Sequence, residues 1–264
     1  MISGLKKILP DHRDYSYHRT FGTIDPGEQF NDNFNLDAGI TNPSQDADGF
    51  PYGCTGYTTS ELCQDEDKKQ YLPRFTYDQT LKMEGQKEGV GCDIRDSLNS
   101  SIVYGVQALG EGPELALNHR RGAYFQIENS SDWFDSLRSA MVMSNRSISI
   151  GSKWYPEWML APFGIIPVPN WNNPNTTFHN WKICGWKTIN GIVYLIGKPW
   201  IGVTWGDAGY GYFSREVINA LLSQSYSGAF NLVPFDPKNV QTVVLTLWAT
   251  ILSYTRMWLN ALKS

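Results

Sequence analysis

An α+β protein with two lobes is what this sequence predicts, with helices in the first half and strands in the second. Three observations carry that expectation. Residues after Thr55 follow a helical pattern, residues 147–155 alternate with a period of two, and the change of texture between them falls near residues 120–145. At 264 residues, with 41% hydrophobic and 18% charged side chains, the chain can enclose a substantial core.

Residues 1–53 are rich in Asp, Gly, Pro and aromatics and lack helical periodicity, which predicts an extended arm ending in a tight loop. From Thr55 a helix is expected, with Tyr57, Leu62 and Cys63 among small polar residues and a solvated end at Asp65, Glu66 and Asp67. Further helices are expected over 77–83 and 94–106. Residues 147–155, 181–186 and 192–196 read as strands, the last two joined by a turn at Asn190 and Gly191. After Pro237, apolar residues recur at Val240, Val244, Leu247, Ile251, Tyr254, Trp258 and Leu262, the spacing of a helix with one apolar seam. Such a seam docks on its own protein, on a partner or on a second copy, and its polar content argues against a membrane span. The divisions expected are an arm with its loop (1–53), a helical lobe (54–140), a β-rich lobe (141–225) and a linker with a terminal amphipathic helix (226–264).

Composition excludes several functions. A net charge of −4 without a basic cluster offers nucleic acid little to bind. The segment from Met1 to Pro10 lacks the apolar core of a secretory signal, so a cytoplasmic chain, or one built into a larger assembly, is expected. Cys54, Cys63, Cys92 and Cys184 are then expected as thiols, and the Asn-x-Ser/Thr patterns at Asn99, Asn129, Asn145 and Asn175 as chance matches. No metal or cofactor is expected. His12, His18 and His119 make no metal spacing with the cysteines, and Asp46, Asp48 and Gly49 lack the later glutamate of a calcium loop. The glycines from Gly206 to Gly211 lack the order of a dinucleotide loop.

Two residues carry the candidate chemistry. Cys54 follows a glycine-bearing loop and opens a helix, where the helix dipole and a nearby imidazolium would stabilise a thiolate. His179 opens an apolar strand after the loop 172–178, a place from which it can face a cleft and exchange protons. Cys63 lies on the opposite side of the helix and reads as a buried structural thiol.

In order along the chain, several segments resemble the papain-like cysteine peptidases, in particular bacterial and phage-type members without a prodomain. The segments are Pro10-Asp11-His12-Arg13-Asp14-Tyr15, Gly53-Cys54-Thr55-Gly56-Tyr57, Gly91-Cys92-Asp93-Ile94-Arg95-Asp96, Gly112-Pro113-Glu114 and His179 through Gly185. The resemblance implies a helical lobe facing a β-barrel-like lobe across a cleft, with Cys54 as nucleophile and His179 as base. It also implies Gln45 as oxyanion-hole donor, although Gln45 stands three positions further from the cysteine than the family places that residue. A bulge through residues 47–50 would absorb the difference.

One position departs further. Where the family carries the asparagine that accepts the imidazole N–H, Leu195-Ile196-Gly197-Lys198-Pro199-Trp200 aligns Lys198, whose ammonium only donates. Lys198 is expected to turn to solvent, with Trp200 still covering the imidazole. Two functions follow from the resemblance: a peptidase or amidase acting on a peptide or protein substrate through an acyl-thioester, or an inactive papain-like domain serving as a binding or structural subunit, for example of a phage particle.

Overall fold

The computed structural model describes residues 5–11, 13–22, 30–40, 44–130 and 132–234. The apolar seam from Val240 to Leu262, with its expected helix, lies outside the described residues, as does His12.

Short helix α1 (Tyr17–Phe21) and the two-residue strand β1 (Phe34–Asn35) belong to the arm. Helix α2 spans Cys54–Asp67 and stops at Lys68, which takes a left-handed conformation (φ 55°). Nearly all of it is buried, which explains its weak apolar periodicity: it has no solvent face to mark. Its hydroxyls find partners on the neighbouring helices, Ser60 with Thr76 at 2.8 Å and Thr59 with Ser97 at 2.9 Å. Helix α3 (Pro73–Met83) begins a turn earlier than its apolar spacing suggests, because Pro73 sits where the missing N–H costs nothing. Helix α4 (Ile94–Val103) is capped by the Asp93 carboxylate, which accepts from the Arg95 N–H, and ends just before Gly105 at φ 75°.

The remaining elements are β2 (Arg121–Ile127), α5 (Trp133–Ser144), β3 (Ile148–Trp154), β4 (Thr177–Ile189), β5 (Ile192–Lys198), β6 (Gly211–Ser214), α6 (Arg215–Leu222) and β7 (Gly228–Pro234). The strands form one antiparallel sheet in the order β2-β7-β3-β4-β5-β6, with β1 paired to β4. Strands β2 and β7 lie outside the stretch read from sequence as β-rich. One face of the sheet builds an aromatic core from Trp154, Trp181, Trp186 and Phe213, closed by Phe134 and Leu137 of α5 and Ile218 of α6. The other face meets α2. Alternation along β4 sends His179, Trp181 and Ile183 to one face and Asn180 and Lys182 to the other.

The acidic end of α2 departs from the solvated face expected of it. Asp65 is only 6% exposed, and Glu66 and Asp67 pair with Arg146 and Arg121. Cys63 is buried as its spacing predicts; it accepts from Arg121 Nε at 3.1 Å, and burial pushes its thiol up to about 11. No disulfide joins the four cysteines.

Candidate active site

Cys54 is the first residue of α2, and no side chain caps that helix end, so its first-turn N–H groups remain directed at whatever lies there. Two glycines hold the turn in place. A Cβ on Gly53 would stand 2.3 Å from the Phe50 ring, and one on Gly56 would stand 2.7 Å from the Pro73 carbonyl oxygen. Neither position accommodates a side chain without displacing what packs on it.

His179 lies on β4 opposite Ser152 and is fully buried. Its Nε2 stands 2.7 Å from the main-chain oxygen of Pro199. A carbonyl oxygen only accepts, so Nε2 carries the hydrogen and, in the neutral ring, Nδ1 carries the lone pair. Nδ1 has no hydrogen-bond partner among the described residues. The indole of Trp154 packs edge-on against the imidazole with centroids 5.3 Å apart, a contact the sequence does not flag. Burial lowers the histidine to about 4, against a smaller opposite push from the Pro199 carbonyl.

A continuous path connects these residues. Thr58 Oγ1 donates to the Cys54 carbonyl at 3.0 Å and accepts from Trp200 Nε1 at 3.0 Å. Trp200, at φ 59°, stacks on Tyr57 and follows directly on Pro199, whose carbonyl meets His179. The Gln45 N–H joins from the arm, donating to the Trp200 carbonyl at 3.3 Å. Trp200 thus reaches His179 only through the Pro199 carbonyl, and the ring packed on the imidazole is Trp154, not Trp200 as expected from sequence. The Gln45 side chain is buried, with Nε2 donating to the Pro51 carbonyl at 2.8 Å. The residues between them fold into an exposed turn, closed by Asp48 N–H to Ser44 O and Phe50 N–H to Gln45 O.

Lys198 reverses its expectation. It is 9% exposed and faces α2, with Nζ 3.2 Å from Glu61 and 3.6 Å from Asp37. Lys182 joins it, 2.8 Å from Asp65 and 3.1 Å from both Glu61 and Asp37. The three carboxylates lie close enough to hold a metal ion, but the two ammoniums already occupy that space. Burial opposes charge on Asp37, yet the two lysines outweigh it and hold Asp37 below the usual carboxylate range. Burial wins at Glu61 and pushes it up. The sequence reading missed this cluster: Lys198 and the acidic end of α2 were expected in solvent, and Lys182, Glu61 and Asp37 were not singled out.

Neither a family model nor a curated protein sequence matches the chain. Solved structures do. Xylellain, a cysteine protease from Xylella fastidiosa, superposes with a TM-score of 0.68 at 19% identity, covering 89% of this chain and 96% of that one. Digestive procathepsin L 3 from the larval midgut of Tenebrio molitor gives a TM-score of 0.61 at 13% identity, over 84% and 76% of the two chains. The proCathepsin B S9 of Trypanosoma congolense gives 0.57 at 10% identity, over 89% and 87%. The fold is the two-lobe α+β fold of the papain-like cysteine peptidases. Among the described residues, no helix is long and apolar enough to cross a membrane.

Proposed function

We propose that the protein is a papain-like cysteine peptidase or amidase that uses Cys54 and His179. The observation that carries this reading is the 2.7 Å contact between His179 Nε2 and the Pro199 carbonyl. It supplies the hydrogen-bond acceptor that Lys198 cannot, and it leaves Nδ1 as the basic atom.

In this mechanism the Cys54 Sγ–H proton passes to His179 Nδ1 and the sulfur attacks the carbonyl carbon of a peptide or protein substrate. The oxyanion that forms is met by the Cys54 N–H at the start of α2 and by the Gln45 amide, whose nitrogen carries two hydrogens. The imidazolium returns its proton to the leaving amine as the C–N bond breaks, which leaves a thioester. Water, deprotonated by the same imidazole, cleaves the thioester and restores the thiol. The Pro199 carbonyl holds the ring and its tautomer throughout, while the Lys198 ammonium stays in its carboxylate cluster. No resident cofactor enters.

The second reading, an inactive papain-like subunit, draws on the complete burial of both Cys54 and His179. The pH profile of Cys54 alkylation, with sites assigned by mass, separates the two. An active pair gives an inflection below the roughly 8.5 of an ordinary thiol, moved upward by His179→Ala. It also gives amide hydrolysis that Cys54→Ala abolishes. An ordinary-thiol profile, the same in both proteins, overturns the peptidase reading.

A further inference from the structure

Strand β7 ends at Pro234, paired with Arg121 at the start of β2. The pairing is antiparallel, so a chain that continues past Pro234 heads along the residues that precede Arg121, the 3-10 helix Pro113–His119. The surface it meets is apolar. Val103 at the end of α4, Leu109, Leu115 and Leu117 are 52%, 56%, 41% and 55% exposed. They belong to one compact stretch. A Cβ on Gly105 would stand 1.8 Å from the Ala116 carbonyl oxygen and 3.0 Å from the Leu117 nitrogen, so the turn after α4 is pressed directly on the 3-10 helix. Glu111 ties the same stretch to Lys69 and His119, which gives these aliphatic side chains a charged margin. An apolar face rimmed by charge is the composition of a contact surface.

The sequence supplies the matching half. Val240, Val244, Leu247 and Ile251, outside the described residues, open the apolar seam, in a stretch without charge from Asn239 to Tyr254. Residues 235–239 join the seam to Pro234 and span at most about 20 Å when extended. Leu117 stands roughly 10 Å from Arg121, given about 2 Å of rise per residue in a 3-10 helix and an extended residue after it. The face is within reach. Another exposed apolar pair among the described residues, Leu160 and Phe163, sits beside β6 through the Ile165–Tyr212 bridge. That is the opposite edge of the sheet, with β3, β4 and β5 between it and β7. So short a linker also holds the seam near the Leu117 face at an effective concentration on the order of millimolar, which a second copy at micromolar concentration does not match.

We infer that the face formed by Val103, Leu109, Leu115 and Leu117 is the docking site of the chain's own apolar seam, which covers it with Val240, Val244, Leu247 and Ile251 within one copy. Each partner removes from water the apolar surface that the other leaves exposed. The inference is independent of the chemistry assigned to Cys54 and His179, and it stands or falls without it.

Amide hydrogen exchange of the full chain, followed by mass on peptides covering 103–119 and 240–251, tests it. A short segment is a marginal helix alone in water, so slowed exchange over 240–251 requires docking. Leu117→Asp, at an exposed position, should speed exchange over 240–251 about tenfold or more, and Leu247→Asp should do the same over 103–119. Phe163→Asp, on the opposite edge of the sheet, should change neither. Peptides from β4 report the fold; if Leu117→Asp speeds those as well, Leu115→Asp takes its place, and Leu247→Asp reads the contact from the other side. Unprotected exchange over 240–251 in the wild type overturns the docking. So does a protected seam that the Leu117 and Leu115 substitutions leave unchanged, which would put its contact on another surface. Sedimentation and exchange over about a hundredfold dilution identify the source of the seam. A monomer with unchanged protection is expected, whereas protection lost as a dimer dissociates overturns closure within one copy.

Discussion

His179 is a buried base with a fixed tautomer, and burial has a consequence for pH. Its proton affinity in the folded protein is lowered from the usual 6.5 to about 4. Between those values the unfolded chain binds a proton that the folded one does not, so stability falls as pH drops through this window and is fully present above it. The loss amounts to about 3 kcal/mol once both limits are passed. Urea unfolding of the wild type and of His179→Phe between pH 4 and 7 checks this, because the variant should lose that part of the slope. Sequence brought out Cys54 and His179 individually, since a cysteine at a helix start and a histidine at a strand start leave a local pattern. The acceptor on His179 left none. Every residue carries a carbonyl, and only the path of the chain after β5 aims that of Pro199 at the ring.

Among the elements, α2 places the most in one position: the Cys54 end, the Trp200 wedge and the acids of the buried cluster all depend on how closely it approaches α3. That approach is set at Gly56. Gly56→Ala would gain helix propensity but drive a methyl group against the Pro73 carbonyl and the Tyr77 backbone, with its nearest contacts at 2.7 to 2.9 Å. The net effect expected is destabilisation by about 1–3 kcal/mol, read as a lower urea midpoint with an unchanged slope. The helices and strands themselves were legible where they have a wet and a dry face, as in α3, and in β3 through its alternation of apolar and small residues, although both of its faces are buried. They were least legible in α2, whose buried Thr and Ser satisfy one another across helices, so polarity there does not signal water. The reciprocal Arg13–Asp96 and Arg95–Asp14 pairs were written in the two Arg-Asp dipeptides, but nothing in one dimension matches them to each other.

At the scale of the molecule, the contact between sheet and helices is closed by five charges instead of by apolar packing alone. Lys182 and Lys198 come from the sheet, Glu61 and Asp65 from α2, and Asp37 from the arm. Burial works against Lys182, but Asp65, Glu61 and Asp37 outweigh it and keep the ammonium charged. Removing one cation strands a buried carboxylate. Lys198→Met is therefore expected to cost about 3 kcal/mol, and adding Glu61→Gln should return a large part of it; a double-mutant cycle of unfolding free energies measures the coupling. Additive losses would show that the cluster does not act as a unit. The two-lobe architecture could be anticipated from the order of motifs along the chain. The cluster could not, because its members are scattered from residue 37 to residue 198 and the arm contributes one of them.

The carbonyl on His179 carries a further consequence, for inheritance. A side-chain acceptor is held by one codon and is lost with one base change, whereas a main-chain acceptor survives any substitution that leaves the strand path intact. With the imidazole hydrogen-bonded to the backbone of residue 199, the neighbouring side chain is not needed for that duty, and here Lys198 sits among the interlobe carboxylates instead. Inspection of aligned letters alone would score such a chain as dead at that position. A chain with no acceptor and a chain with a main-chain acceptor look alike in one dimension; the direction of a C=O bond separates those two, and the Cys54 alkylation profile separates an active pair from an inert one.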